Sequence, residues 1–260
     1  EKKTTFNAKD MSERVYRWSL SSLHKQGYDE IEIIYTDPKT IIWTSDLVKN
    51  LFVGFVIINQ TENTCVIRRV SQDLTSEFDA GLRRSFLVTS AMGESMIDYM
   101  KREEYSKLAD LIPLEKTNNQ LTNFCERLLN KMGHKNYDKT CFYYTLVWNN
   151  EKICDDYKYV CQYISTHDKT KYSKEILLML EKSLKYYKDF CAVLFNWDIK
   201  KLDALNTERK VFLKKLEEHF SHKNPHELVV TNYLLSFISK IDDFSASAIA
   251  INQRDDLNIL

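Results

Sequence analysis

Three histidines, His219, His222 and His226, stand at positions i, i+3 and i+7, a spacing that can hold zinc on one continuous helix. Pro225 falls inside the set and starts a new helix, so the expected arrangement is a loop cluster of polar residues. His226-Glu227 does not open an HExxH zinc-protease motif, because position 230 is Val230. Cys161 and His167 lie six residues apart and do not read as a nucleophile and its base. No GxSxG elbow, phosphate-cradling P-loop or GxGxxG turn occurs. With no identifiable nucleophile or base, the expectation is a protein that is not an enzyme.

The six cysteines, at 65, 125, 141, 154, 161 and 191, include no CxxC pair. Cys154 and Cys161 are seven apart, two turns along one helical face, among apolar neighbours. Reduced, buried thiols in a cytoplasmic protein are favoured over disulfides or a zinc site. Tyrosines at 143, 144, 157, 159, 163, 186 and 187 sit among lysines. They could stack on RNA bases, but packing in a bundle core is the favoured role. Arg68, Arg69, Arg83 and Arg84 form either a small basic patch or, as favoured, salt bridges to Glu77 and Asp79. Met92, Met96 and Met100 recur every four residues and read as helix core, with an adaptable docking groove as the other use.

The elements that position these residues are mainly helical. Only five Gly and three Pro occur in 260 residues, far below the roughly 12% of average chains. That excludes the many tight turns of a β-sandwich and the glycine loops of a dinucleotide fold. Lys plus Arg and Asp plus Glu both number 37, so no basic excess marks a dedicated nucleic-acid binder. No apolar run reaches the ~20 residues of a membrane span, and no secretion signal opens the chain.

Residues 1–10 read as a flexible lead, and 11–72 as a small α-β-α-β-β unit with one wet face. Its signals are Ser12 as N-cap, Gly27 as helix stop, the Ile-rich strand 29–35, and Asp37-Pro38 opening a helix to about Leu51. Strands 55–60 and 64–70 follow, joined by Thr61-Glu62-Asn63. Beyond Thr75 the apolar period is helical: helices are expected near 75–102, 104–132, 137–166, 172–197, 199–220 and 226–256. Leu177, Leu180, Leu184, Tyr187, Cys191 and Leu194 share one face, and Leu205, Phe212 and Leu216 another. Gly133 ends one helix; Asn224 and Pro225 start the last. The expected fold class is mainly α: a small α+β unit followed by two tandem three-helix bundles, residues 75–166 and 172–257.

Five stretches resemble the archaeal branch of the PhoU family of phosphate-uptake regulators. They are GYDEIEI (27–33), GFVIINQTENTCVIRRVS (54–71), LRRSFLVTSAMGESM (82–96), LEKTNNQLTNFCERLLNK (114–131) and NEKICDDY (150–157). The resemblance covers about residues 11–257, and the order of the stretches carries more than any one of them. It implies two three-helix repeats and repression of phosphate uptake through contacts with the importer ATPase and signalling proteins. A homodimer and a cytoplasmic location are expected. Archaeal members commonly carry an AbrB-like DNA-binding unit ahead of this region; the chain starts after that place, so DNA binding by it is not expected. A nucleic-acid- or ribonucleoprotein-associated helical protein is the alternative reading, and a metal-dependent enzyme the third.

The resemblance also implies a metal site. The family pattern is Glu or Asp followed four residues later by Asp, on the second and third helices of each repeat. Residues i and i+4 share a helical face, so two antiparallel helices could offer about four oxygen ligands to Fe, Zn, Mn or Mg. The matching positions are Glu151 and Asp155, with Glu115 and Asn119 as their partners. In the second repeat Ser239 and Asp243 match, and Asp203 or Glu208 stands for the other helix. Asn119 and Ser239 replace carboxylates, which weakens both sets.

Overall fold

The computed structural model describes residues 1–71, 76–219 and 224–252. It is mainly helical, with a four-stranded sheet near the N-terminus. The chain divides into two units: Glu1–Arg83 with Asn119–Thr140, and Arg84–Asn118 with the chain from Cys141 onward.

The first unit opens with β1 (Lys3–Asn7), where a flexible lead is expected from sequence. Its KTTFN sequence alternates without strong hydrophobicity, and it is a strand because it pairs in parallel with β2 (Glu30–Ile34), Thr4 opposite Ile31 and Phe6 opposite Ile33. β4 (Thr64–Arg69) runs antiparallel to β2, and β3 (Phe55–Gln60) antiparallel to β4, giving the order β1-β2-β4-β3. Ile31, Ile33, Cys65 and Ile67 face a core with Tyr16 and Leu20 of α1 (Glu13–Lys25) and Leu47 of α2 (Lys39–Asn50). The opposite face carries Thr5 hydrogen-bonded to Glu32, and Glu30 paired with Lys3 and Arg68. This is the wet face that the charge pattern predicts. Gly27 ends α1 at φ +85°, a conformation costly for any residue with a Cβ, and donates to the His24 carbonyl at 3.0 Å. Asp37 Oδ1 accepts from the Lys39 N–H at 2.9 Å and so caps α2.

A buried ion-pair hub fastens residues 119–140 to this sheet. Arg127, on α4 (Ile112–Met132), is 1% exposed. It donates to the carbonyls of His24 (2.8 Å) and Tyr28 (2.7 Å) and to Asp29 Oδ1 (2.7 Å). Lys131 also donates to Asp29, Arg69 Nε lies 3.1 Å from the same oxygen, and the Lys2 N–H donates to Oδ2 at 3.0 Å. Burial pushes the Asp29 carboxyl up, but the hydrogen bonds from Lys131 and Lys2 and the neighbouring charges outweigh it and bring its pKa to about 2. Beside it the fully buried His24 ring stacks on Phe52, centroids 4.4 Å apart, with Phe55 edge-on at 5.1 Å. Lys25 pairs with Glu126 at 2.6 Å.

The second unit holds most of α3 (Glu77–Lys101), the first turns of α4, α5 (Thr140–Thr166), α6 (Lys174–Phe195), α7 (Ile199–His219) and α8 (Pro225–Asn252). The helix expected over 104–132 is split: a 3₁₀ segment, Tyr105–Leu111, precedes α4. Pro113 fits the first helical turn, where its missing N–H costs nothing. A second 3₁₀ turn, Tyr137–Lys139, leads into α5. Asn224 Oδ1 accepts from the His226 N–H at 3.1 Å, so Asn224 and Pro225 open α8 as the sequence predicts. The expected helix ends at 220 and 253–256 lie outside the described residues.

α6, α7 and α8 pack against one another. The expected division into repeats 75–166 and 172–257 is not how compactness divides the chain, because parts of α3 and α4 belong to the sheet unit. Inside the second unit a buried polar network joins four helices. Asn118 Nδ2 donates to the Ser85 carbonyl (2.9 Å) and to Thr89 Oγ1 (3.0 Å). Asn150 Nδ2 donates to Ser85 Oγ (3.0 Å), and the Tyr187 hydroxyl donates to Asn150 Oδ1 (2.6 Å). Such groups must be paired when buried, so the network fixes which helix faces meet.

Candidate functional site

The acidic positions on α4 and α5 do come together, but with lysines between them. Glu115, Glu151 and Asp155 have side chains 8%, 13% and 13% exposed. Lys158 Nζ donates to Glu115 Oε1 at 2.8 Å and to Asp155 Oδ1 at 2.6 Å. Lys152 Nζ donates to Glu151 Oε1 at 2.9 Å and reaches Asp155 Oδ2 at 3.4 Å. The side chains thus alternate in sign along one line: Glu115, Lys158, Asp155, Lys152, Glu151. Helical geometry produces this order. Positions 151, 155 and 158 fall on one α5 face by steps of four and three. Charge–charge attraction recruits the flexible lysine stems into it.

The electrostatics follow the geometry. Burial pushes the Asp155 carboxyl up, but the Lys158 hydrogen bond and the charges of both lysines hold it below the usual carboxylate range. Burial would lower the Lys158 ammonium, yet its hydrogen bonds to Asp155 and Glu115 raise it above the ordinary lysine range. Lys152 is raised in the same way against its own burial, first by the charge of Glu151. One residue on, the buried Asp156 faces α8, where Lys240 Nζ contacts its two oxygens at 2.9 and 2.8 Å. Burial outweighs that pairing and leaves the Asp156 carboxyl raised. Lys240 also donates to the Lys152 carbonyl at 3.3 Å, which ties the two ion-pair groups through α5.

The other positions in the implied metal pattern do not join this cluster. Asn119, half-buried one turn beyond Glu115, belongs to the sheet unit, where its backbone carbonyl accepts from Thr122 and Asn123. Asp243 is exposed on α8, as is Ser239 one turn earlier. Asp203 and Glu208 are on α7, Glu208 lining an open cleft of about 450 Å³ beside α6. The residues present do not fit a metal ion. The carboxylates that converge already bracket an ammonium group, and no group of three or more His, Cys, Asp or Glu among the described residues is arranged to hold one.

The remaining sequence candidates resolve into packing. His219 and His226 are not in a loop. His219 is buried in the last turn of α7, 3.3 Å from Glu227 Oε2. His226, in the first turn of α8, pairs with the Tyr163 hydroxyl at 3.0 Å. His222 lies outside the described residues. The buried Glu227 accepts from the Ser173 N–H (2.6 Å) and hydroxyl (3.0 Å), placing a carboxylate at the N-terminus of α6. Arg68 and Arg69 form salt bridges to Glu30 and Asp29, not to Glu77 and Asp79; Asp79 faces Lys135 at 3.5 Å. Arg83 and Arg84 are exposed on α3. Met92, Met96 and Met100 are core residues. Tyr157, Tyr186 and Tyr187 are buried, while Tyr159 stacks on Tyr233 with centroids 5.6 Å apart.

Sequence reasoning missed Lys152 and Lys158. The signal was present, since Asp155 and Lys158 stand at i, i+3. It also missed the Asp29–Arg127 pair, for which no local spacing exists. No helix among the described residues is long and apolar enough to cross a membrane. Comparison of the chain with protein-family models, with curated proteins and with solved structures finds no match.

Proposed function

We propose that this chain is a non-enzymatic regulator or adaptor of phosphate uptake and phosphate signalling, of the kind its PhoU resemblance implies. The observation that carries the reading is where the resembling stretches meet. GYDEIEI supplies Tyr28 and Asp29, the 54–71 stretch supplies Arg69, and the 114–131 stretch supplies Arg127 and Lys131. Three pieces separated by up to about a hundred residues converge on one buried carboxylate. That convergence makes the stretches one packed unit, and their order along the chain is what supports the family reading. In this reading α3–α5 and α6–α8 are the two three-helix repeats, and their outer faces bind partners. Those partners are the importer ATPase and its signalling proteins on the cytoplasmic side, with the chain acting as a homodimer.

The test is genetic and biochemical together. Deleting the gene in its host should raise phosphate accumulation, and a tagged copy should co-purify transport or signalling components from native cells. An unchanged phosphate response, or recovery with RNA or ribosomes in a salt-dependent manner, overturns the proposal.

A further inference from the structure

The family pattern leads to the expectation of a metal between α4 and α5, and the side chains there place an ammonium group between the carboxylates. We infer that Lys158 is a built-in cation: its ammonium group stands between Glu115 and Asp155 where a divalent ion would have to sit, and the native protein excludes metal from this place. Both carboxylates point at a single nitrogen, at 2.8 and 2.6 Å. These are charge-assisted hydrogen bonds in a site only 8–15% exposed, where such bonds are strong. A metal would have to bind the same oxygens at roughly 2.0–2.2 Å and expel the ammonium. The expelled charge would have to reach water from a stem held among α4 and α5 side chains, and burying it unpaired is prohibitive.

The third carboxylate does not relieve the competition. Glu151 Oε1 and Asp155 Oδ2 both engage Lys152 Nζ, at 2.9 and 3.4 Å. Three carboxylates and two ammonium groups leave a net charge of −1 on the cluster. The same three carboxylates around one divalent ion would also sum to −1, but only while the ion was bound. The consequence is a patch whose charge pattern is fixed by the sequence and does not follow the supply of metal. This goes beyond the phosphate reading and does not depend on it, since the test uses only the chain and an ion.

The full chain, freed of metal with a chelator, is titrated with Mn²⁺ while free Mn²⁺ is followed by electron paramagnetic resonance. The wild type should show no saturable site up to millimolar ion. Lys158→Met keeps the apolar stem and removes the charge; it should bind Mn²⁺ at least tenfold more tightly. The double variant Lys158→Met with Glu115→Gln should return to wild-type behaviour. Stoichiometric binding by the wild type that disappears in Asp155→Asn overturns the inference, as does a folded Lys158→Met that gains nothing. Circular dichroism establishes whether each variant folds. If Lys158→Met does not, Lys158→Gln takes its place in the same comparison, and the wild-type titration retains its power to refute.

Discussion

Mild acid should loosen the sheet unit, through His24. Its ring is fully buried, both ring nitrogens lack a hydrogen-bond partner, and the face is covered by Phe52 at 4.4 Å. Burial first, then the positive charges of Arg127 and Lys25, drive its pKa well below the usual histidine value. The imidazole is therefore neutral in the folded chain down to low pH, whereas the unfolded chain takes up a proton near pH ~6.5. The sign follows: stability from this group is complete above that pH and falls as pH drops below it, because only the unfolded state gains the proton. The slope approaches ~1.4 kcal/mol per pH unit, which integrates to about 2 kcal/mol between pH ~7 and ~5.

Asp29 acts in a lower window. Its depressed pKa of about 2 gives stability that is present above the ordinary carboxylate range and is lost only as pH falls below ~4. His134 is also lowered, chiefly by burial, and so contributes in the same direction, which makes a single-site variant necessary. In His24→Phe the aromatic stack on Phe52 is retained and the titration removed. Urea unfolding together with hydrogen exchange at the amides of β2 and β4 should show the wild type losing about 2 kcal/mol more than His24→Phe from pH ~7 to ~5. Equal losses in the two proteins would refute the account of His24.

Further expectations concern packing and thiols. Asp29→Asn should cost about 3–5 kcal/mol in urea unfolding, because it strips the charge partner from a buried Arg127; a loss under ~1 kcal/mol would mean that the hub is not what joins α4 to the sheet. A Cβ at Gly93 would lie 2.9 Å from both the Leu184 Cδ1 and Tyr157 Cε2 atoms, so Gly93→Val should destabilise by about 2 kcal/mol in thermal melts, whereas an open site would gain from the better helix former. In the native protein a thiol reagent at mildly alkaline pH should label Cys141 quickly. Cys65, Cys125, Cys154 and Cys161 are buried, and burial pushes the first of these thiols up to about 11 and the next two to about 12. Rapid labelling of any of these four, read by peptide mass spectrometry, would contradict the packing.

Much of the fold was legible because the signals that set it are local. An apolar period of 3.6 places the helices after residue 75, and Asp37, Gly27, Gly133, Asn224 and Pro225 end or begin elements by their own backbone chemistry. Alternation likewise shows which face of β2 and β4 is dry. What the chain order could not supply was anything that depends on a distant partner. Lys3–Asn7 is a strand only because β2 offers its edge. The C-terminal half of α4 joins the sheet unit only because Arg127 and Lys131 find Asp29 about a hundred positions earlier. The acids at 115, 151 and 155 look like ligands in the sequence, where spacing shows that they share a face. Which cation fills the space between them was decided by tertiary packing, which lets the Lys158 stem reach oxygens on two helices at once. Periodicity is written residue by residue, while charge pairing across a fold is settled by whichever groups burial forces together.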